Sequence, residues 1–539
     1  MKGLLISIVG IPRILSDFVP DNGLASLATC LLKENVKVKI LDFNLPSVFD
    51  EVYTNEIKDF LEKFAYKIFI QNKRPSFLDV LKLKRVSKYI ENNKRFYLER
   101  LKNYLLKIIE DEKVDFVGFK LWAGDGFDWS MEIGKYLKKK KPELKIFGGG
   151  PQVDIFEHWI FEKGDFFDAL CYGEGEETII ELVKFVKGQK KLKDIPNLIF
   201  KENGKVIKTE RKYIENLDSI PIPLYDVDIY WKIEERIKMI VLDESRGCPN
   251  SCYFCIHPKK SGKRREKSVE RIIEEMKFYN NKYGIKLFRF AGSSTPGDLI
   301  VGIAEKILKE GIKVSYTSFA QPNDFLNIDF NLLKKSGCEA LFFGVETANE
   351  EILKKWMNKN VKKDDMKKVL KRCKDAGIFT IISLIYPAPF ETEKTKEETI
   401  NFLKEIYPDS VLVQFPGIYP GTVWFKFPER FNFKLEKETY PLKIMNYKIK
   451  ALFPPTMWQP LPYKVNGMSF KEFARKTEEF QKEIKSLGIE VSISDDAYLL
   501  YRYSDFEKIE DFLKNNRVYF YSGNSKKLYE EIGGINKKF

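Results

Sequence analysis

An α/β protein built on two parallel sheets is predicted by three observations. Short runs of Val, Ile and Leu alternate with amphipathic helical patterns, first before about residue 190 and again between about 236 and 437. The apolar runs are continuous rather than alternating, as expected of strands covered on both faces. The later set has six strand–helix repeats and no dinucleotide-type glycine fingerprint. The first set therefore predicts a doubly wound open sheet, and the second a partial parallel barrel. A small α-rich module is expected over 438–539.

The first set contains strands at Leu4 to Val9, Val36 to Asp42, Val114 to Phe119, Leu144 to Phe147 and Phe167 to Tyr172, with an amphipathic helix at Gly23 to Glu34. Together they make a domain over 1–190. A charged, helical insertion of about 45–113 interrupts it, too long for an ordinary crossover and suited to a cover over the sheet edge or a lid. Residues 191–235 read as a connecting strip, with a hairpin at Asn203-Gly204 and a rigid spacer at Pro221-Ile222-Pro223. The second set, 236–437, has strands at Met239 to Glu244, Lys286 to Ala291, Lys313 to Thr317, Ala340 to Val345, Phe379 to Ile385 and Val411 to Phe415. Its helices include Val269 to Tyr283, Leu299 to Glu310 and Met366 to Ala376. Beyond Glu438 a helix at Phe470 to Leu487 stands among Pro- and aromatic-rich segments.

Composition narrows the chemistry. The 539 residues are 44% hydrophobic, enough for several cores and incompatible with a disordered chain. The net charge of +14 is modest for this length and reads as spread along the chain, supporting steering of an anionic substrate at most and making nucleic acid an unexpected partner. There are two histidines, His158 and His257, which excludes His-rich metal sites and most His-based acid–base mechanisms. Three of the seven cysteines fall within eight residues, an odd and clustered count that argues for metal chemistry rather than disulfides. No targeting signal or membrane span is evident, and a cytoplasmic location is expected.

The clustered cysteines stand in Arg246-Gly247-Cys248-Pro249-Asn250-Ser251-Cys252-Tyr253-Phe254-Cys255, directly after the first barrel strand. Three thiolates on one loop can hold three irons of a [4Fe-4S] cluster and leave the fourth open to a cofactor. A Cys3His zinc site using His257 fits the same spacing. Cys30, Cys171, Cys338 and Cys373 have apolar neighbours and read as core packing.

This CxxxCxxC loop, with an aromatic residue before its last cysteine, resembles the radical S-adenosylmethionine superfamily. Further motifs follow in the family's order. Arg289-Phe290-Ala291-Gly292-Ser293-Ser294 matches the second-strand segment that supports the methionine amino group, and Gly344-Val345-Glu346-Thr347 the fourth-strand motif whose carboxylate faces the cofactor. Ser383 matches a ribose contact, and Pro387-Ala388-Pro389-Phe390-Glu391-Thr392 resembles G-x-P-x-E-T with proline replacing the glycine. The resemblance implies that Cys248, Cys252 and Cys255 hold the cluster, and that Phe254, Gly292, Ser293, Ser294, Glu346 and Ser383 bind S-adenosylmethionine.

The first domain resembles the cobalamin-binding domain fused to such enzymes. The matching segments are Pro20-Asp21-Asn22-Gly23-Leu24, Gly148-Gly149-Gly150-Pro151 and Gly173-Glu174-Gly175-Glu176-Glu177-Thr178; Pro420-Gly421-Thr422 after the sixth barrel strand is also typical of the fused group. By that resemblance Asn22, Gly23, Trp122, Gly148, Gly149, Gly150, Gly173 and Glu174 are expected around cobalamin. The D-x-H-x-x-G signature is missing: residues 10–23 contain no histidine, His158 lies in the wrong loop, and Gln152 stands where relatives often carry His. Cobalt would then have no protein histidine below it.

The resemblance implies reductive cleavage of S-adenosylmethionine to a 5′-deoxyadenosyl radical, and most often methylation of an unactivated carbon or a phosphorus centre in a small molecule or peptide. A flavodoxin or ferredoxin would supply the electron. Cyclisation, rearrangement and simple hydrogen abstraction over a scaffold-only cobalamin domain also occur on this architecture. A remote alternative is a zinc-stabilised nucleic-acid-binding protein.

Overall fold

A computed structural model describes residues 1–448 and 455–538. The chain divides into two compact units: Met1–Lys212, Ile220–Lys238 and the residues from Leu500 onward form one, and Tyr213–Ser219 with Met239–Leu499 form the other. The last hundred residues, expected as a module of their own, are thus shared between the units. Residues 449–454 of that expected module lie outside the described residues.

In the first unit, β1 (Lys2–Ser7), β2 (Lys37–Asp42), β3 (Phe116–Lys120), β4 (Lys145–Gly149) and β5 (Ala169–Cys171) run parallel. The antiparallel strands β6 (Leu198–Glu202) and β7 (Lys205–Lys208) extend the sheet to the order β2-β1-β3-β4-β5-β6-β7. The connecting strip therefore adds two strands to this sheet. Its hairpin forms because Asn203 and Gly204 both take positive φ, 51° and 76°, as a two-residue type I′ turn demands. The strand order reverses direction between β1 and β3, so ligand chemistry is expected outside the carboxyl ends there.

Side-chain caps start the helices of this unit. Asp21 accepts from the Leu24 amide at 3.0 Å and opens the helix Asn22–Lys33. The insertion folds into Val48–Val52, Asn55–Ala65, a π turn at Tyr66–Ile70 and the long helix Phe77–Asp111. A reciprocal Ser76–Asp79 capping box begins that helix, with backbone–side-chain distances of 3.2 and 2.8 Å. The insertion is a packed helical layer: Tyr97 meets Trp129 edge-on at 5.7 Å, and Phe520, from the helix Ile509–Ser522 at the far end of the sequence, lies 6.3 Å from Phe49 and 5.7 Å from Phe18.

Two buried charges close the carboxyl end of β2. Arg236 and Asp42 are fully buried, with Nη1 and Oδ2 3.0 Å apart, and Arg236 also donates to the Asp42 and Asn44 carbonyls. The Tyr230 hydroxyl donates to Asp42 Oδ2 at 2.6 Å and accepts from the Asp21 amide. The strip 220–238 is thereby pinned to the sheet it follows.

In the second unit, β8 (Met239–Leu242) leads into a short antiparallel pair, β9 (Ser245–Arg246) and β10 (Arg265–Glu266). The parallel sheet continues with β11 (Leu287–Phe290), β12 (Ser315–Ala320), β13 (Cys338–Glu346), β14 (Phe379–Ile385) and β15 (Ser410–Gln414). A small hairpin, β16 (Phe433–Leu435) with β17 (Tyr463–Val465), follows, and β18 (Glu490–Val491) pairs parallel to β15. The main sheet has the order β18-β15-β14-β13-β12-β11-β8 and so holds seven strands among the described residues, one more than the six expected. Two residues are too few for periodicity to reveal β18. The Arg289 guanidinium is taken by Asp495 at 2.7 and 3.0 Å, and Thr317 donates to the same carboxylate at 3.0 Å. Among the described residues no helix is long and apolar enough to cross a membrane.

Replacing Arg236 by Met should cost about 3–5 kcal/mol, because Asp42 would stay buried without its partner. Urea titration of the full chain measures this, and pairing the change with Asp42→Asn should recover much of the loss. A single-variant loss below about 1 kcal/mol would show that the pair is not what holds the strip.

Candidate active site

The three clustered cysteines sit on the loop between β9 and β10, and the antiparallel pair closes its base. Gly247 makes that closure possible. Its φ is 82°, and a Cβ there would lie 2.2 Å from the Lys263 carbonyl oxygen. The rest of the loop is tied down by hydrogen bonds to its backbone. The Tyr253 amide donates to the Met357 carbonyl at 2.9 Å, the Tyr253 carbonyl accepts from the Trp424 amide, and the Asn358 side chain donates to the Ser251 carbonyl at 2.9 Å. Phe254 packs 5.5 Å from Trp424 and Tyr253 5.4 Å from Phe431, which puts an aromatic wall beside the cysteines.

Cys248, Cys252 and Cys255 carry free, half-buried thiols. Burial pushes Cys252 up to about 11, partly offset by the Lys359 cation, and Cys255 up to about 12. Such thiols are neutral near pH 7 unless a metal draws off their protons. Two side-chain amides point at one sulfur: Gln321 Nε2 stands 3.7 Å and Asn250 Nδ2 3.9 Å from Cys248 Sγ, while Asn250 also donates to Gln321 Oε1 at 2.7 Å. Three soft donors on one loop with N–H groups directed at sulfur fit an iron–sulfur cluster, which takes each thiolate on a different iron.

Glu346 ends β13 with φ of 69°, in the left-handed region, just where the register against β14 shifts. That kink aims its carboxylate at two partners. Lys359 donates to Oε1 at 2.8 Å and Ser383 to Oε2 at 3.1 Å, and Lys359 also holds the Gly344 carbonyl at 2.7 Å. The Glu346 and Lys359 charges both act on the Cys252 thiol, so this pair and the cysteine loop belong to one site.

The segment after β11 is organised by a buried carboxylate. Glu244 accepts from the Gly292 amide at 2.9 Å and the Thr295 hydroxyl at 2.6 Å, and Ser318 donates on to Thr295 at 2.6 Å. A Cβ on Gly292 would fall 2.2 Å from Glu244 Oε1, so the glycine leaves room for the carboxylate. Ser293 shares a 2.9 Å hydrogen bond with His257 Nδ1. The Ser294 hydroxyl is buried with no partner, a polar atom left open for a ligand.

The residues expected around cobalamin lie in the first unit, at the carboxyl ends of its strands and at the start of the helix Asn22–Lys33. Asn22 accepts from the Tyr225 hydroxyl at 3.3 Å, and Gly23 is exposed beside it. The Trp122 indole donates to Ser7 Oγ at 3.0 Å and carries the Lys120 ammonium 4.4 Å from its ring; Lys120 pairs with Asp21 at 2.7 Å. Gly149, Gly150 and Gly173 are half-buried at the ends of β4 and β5, and the Glu174 carbonyl accepts from Thr178. Gly148 is different. It is buried, and a Cβ there would meet Leu170 at 2.8 Å, so it serves strand packing. His158 is exposed in the turn Glu157–Glu162. An open, polar strand-end rim with a half-exposed indole fits a corrinoid held by close backbone approach.

Sequence reasoning missed Lys359, Glu244 and Gln321. Glu244 had a visible sign, an acid closing an otherwise apolar strand. Lys359 and Gln321 carry no local signal, since only the fold brings them to the cysteine loop.

Residues 245–403 match the Radical SAM superfamily and residues 90–183 the B12 binding domain. An "uncharacterized methyltransferase" of Pyrococcus horikoshii is 32% identical over 323 residues, 59% of this chain and 70% of the relative. An anaerobic magnesium-protoporphyrin IX monomethyl ester cyclase of Synechocystis is 23% identical over 51% of this chain and 56% of its own. The solved methyltransferase TsrM of Kitasatospora setae, with cobalamin and a [4Fe-4S] cluster bound, shares the fold at a TM-score of 0.64, with 12% identity over 99% of this chain and 98% of the other. The chain belongs to the radical SAM superfamily, among the enzymes that carry a B12-binding domain. Its cofactors are accordingly a [4Fe-4S] cluster, S-adenosylmethionine and cobalamin.

Two outcomes follow from this geometry. Gln321→Ala removes an N–H···S bond, so the reconstituted cluster should be reduced at a more negative potential; an unchanged EPR-monitored redox titration would show that the amide does not reach the sulfur. Burial pushes the Glu391 carboxyl from its ordinary 4.5 up to about 7. The folded chain keeps a proton that the unfolded chain loses, so this contribution to stability is full below about 4.5 and is lost as pH rises through about 7. Glu391→Gln should flatten the pH dependence of the unfolding midpoint across that window, and an identical profile for the two proteins would refute the shift.

Proposed function

We propose that this protein is a methyltransferase that acts on an unactivated carbon or a phosphorus centre of a small molecule or peptide. The observation that carries the reading is the pairing, in one chain, of a three-thiol loop facing Glu346 and Ser383 with a B12-binding domain. The relative with 32% identity over 70% of its own length bears the name of methyltransferase, which supports it.

In this reading Cys248, Cys252 and Cys255 would hold the cluster, and Glu346 would take the methionine ammonium in a carboxylate already aimed by Lys359 and Ser383. Ser294 supplies a hydroxyl to the same cofactor, and Glu244 keeps the Gly292–Thr295 segment in place. Tyr253, Phe254, Trp424 and Phe431 keep water away from the reacting centre. Asn22, Gly23, Trp122, Gly149, Gly150, Gly173 and Glu174 would hold the corrinoid. When bound, the three groups supply one-electron cleavage of the sulfonium and a carrier for the methyl group. A small acidic electron carrier, such as a flavodoxin or ferredoxin, delivers the electron.

A cyclisation or rearrangement is the second reading, favoured by the likeness to the cyclase of Synechocystis. After anaerobic reconstitution, the methyltransferase should retain corrinoid on desalting and form methylated product along with 5′-deoxyadenosine. Deoxyadenosine without any methylated product redirects the assignment to the second reading. Cys252→Ala should abolish deoxyadenosine formation while leaving corrinoid retention intact; continued turnover would reject the cluster loop.

A further inference from the structure

The long helix Phe77–Asp111 has two apolar faces. Leu83, Val86, Ile90, Leu98, Leu101 and Leu105 are buried within the first unit. On the opposite side Phe77, Leu78, Tyr89 and Phe96 stand 76%, 74%, 63% and 69% exposed, with Leu81 between them. At 3.6 residues per turn these five fall within about a third of the helix circumference, diametrically across from the buried row. The scatter of single exposed apolar residues that every protein carries does not line up in this way.

Basic residues share this outer face. Lys82, Arg85, Lys88 and Arg95 are exposed among the rings, and Arg85, Lys88 and Arg95 have no ion-pair partner among the described residues. Residues 73–102 contain ten Lys or Arg and three Asp or Glu, a net of +7, half of the chain's +14 in thirty residues. Part of the charge excess that averages to background over the whole sequence is therefore gathered at the start and along the first half of this helix, where Lys82, Arg85, Lys88 and Arg95 stand among protruding apolar side chains.

We propose that this face is a docking surface for an anionic phospholipid bilayer, with the helix lying in the interface plane. Lys and Arg flanking Phe, Tyr and Leu on the free side of a helix is the pattern that seats a peripheral protein on acidic headgroups. Protruding, separate side chains enter between lipid headgroups, whereas a protein partner's anchors are received in packed pockets. Leu78 and Leu81 would gain nothing from a nucleic-acid backbone. The seat at the helix start is rigid, because the Ser76–Asp79 capping box and the Lys67–Asp79 ion pair of 2.6 Å fix the turn that presents Phe77 and Leu78.

The test is flotation of the full chain with vesicles of phosphatidylcholine alone and with equal parts phosphatidylcholine and phosphatidylglycerol. Binding to the anionic vesicles should be at least about tenfold tighter and should weaken with salt. Lys82→Glu/Arg85→Glu/Lys88→Glu and, separately, Phe77→Ser/Leu78→Ser/Phe96→Ser should each reduce it to the phosphatidylcholine level. Both variants should keep the wild-type unfolding midpoint and corrinoid retention, since every altered side chain is exposed. Equal binding to both vesicles, or loss with the charge variant but not the apolar one, overturns the proposal. Salt-sensitive retention of duplex DNA at equal strength overturns it too, as does a dimer that the apolar variant dissolves, which would give the face to a second copy of the chain.

Discussion

A parallel sheet covered on both faces leaves chemistry one place to emerge, the segments just past the carboxyl ends of its strands. Most residues of the site obey this constraint. The cysteine loop follows β8 and β9, the Gly292–Ser294 segment follows β11, Gln321 follows β12, Glu346 ends β13, and Ser383 lies within the last half of β14. In the first unit Ser7, Lys120 and Gly149 are the terminal residues of β1, β3 and β4. Strand interiors are mostly apolar and set the spacing between these ends, with Arg289, Thr317 and Ser318 as polar exceptions that tie neighbouring segments together.

The ends are held by buried charges rather than by loops. Glu244 ties the end of β8 to the segment after β11 and, through Thr295 and Ser318, to β12. Asp495 takes Arg289 and Thr317, joining a segment from late in the sequence to β11 and β12. Asp42 and Arg236 do the same for β2 and the strip 220–238. A buried carboxylate is costly unless fully satisfied, so each of these groups commits its neighbours to one arrangement. That is why a left-handed residue such as Glu346 can be tolerated: Ser383 and Lys359, the latter itself held by the Gly344 carbonyl, fix the carboxylate that the strained backbone aims.

Legibility from sequence followed the range of the interactions. Elements with strong periodicity were visible, as were motifs carried by neighbouring residues, such as the cysteine loop and Gly344-Val345-Glu346-Thr347. The two-residue β18 was not, nor was the addition of β6 and β7 to the first sheet, because a hairpin's partner strand is decided by contacts absent from its own sequence. Gly148 and Arg289 stand inside matching motifs, yet they serve a Leu170 contact and the Asp495 ion pair. A motif identifies a segment, while the roles of its members depend on what packs against them.

By itself, the sequence determined the two alternating α/β sets, the three thiols on one loop and the absence of histidine from residues 10–23, since each is a property of residues close together in the chain. Tertiary structure alone decided that residues from Leu500 onward return to the first unit, that Lys359, Gln321 and Glu244 support the cysteine site, and that Lys82, Arg85, Lys88 and Arg95 stand on the same outer helix face as an exposed apolar stripe. These outcomes depend on burial and on long-range electrostatics. Both are set by which surfaces meet, and a local pattern does not encode that.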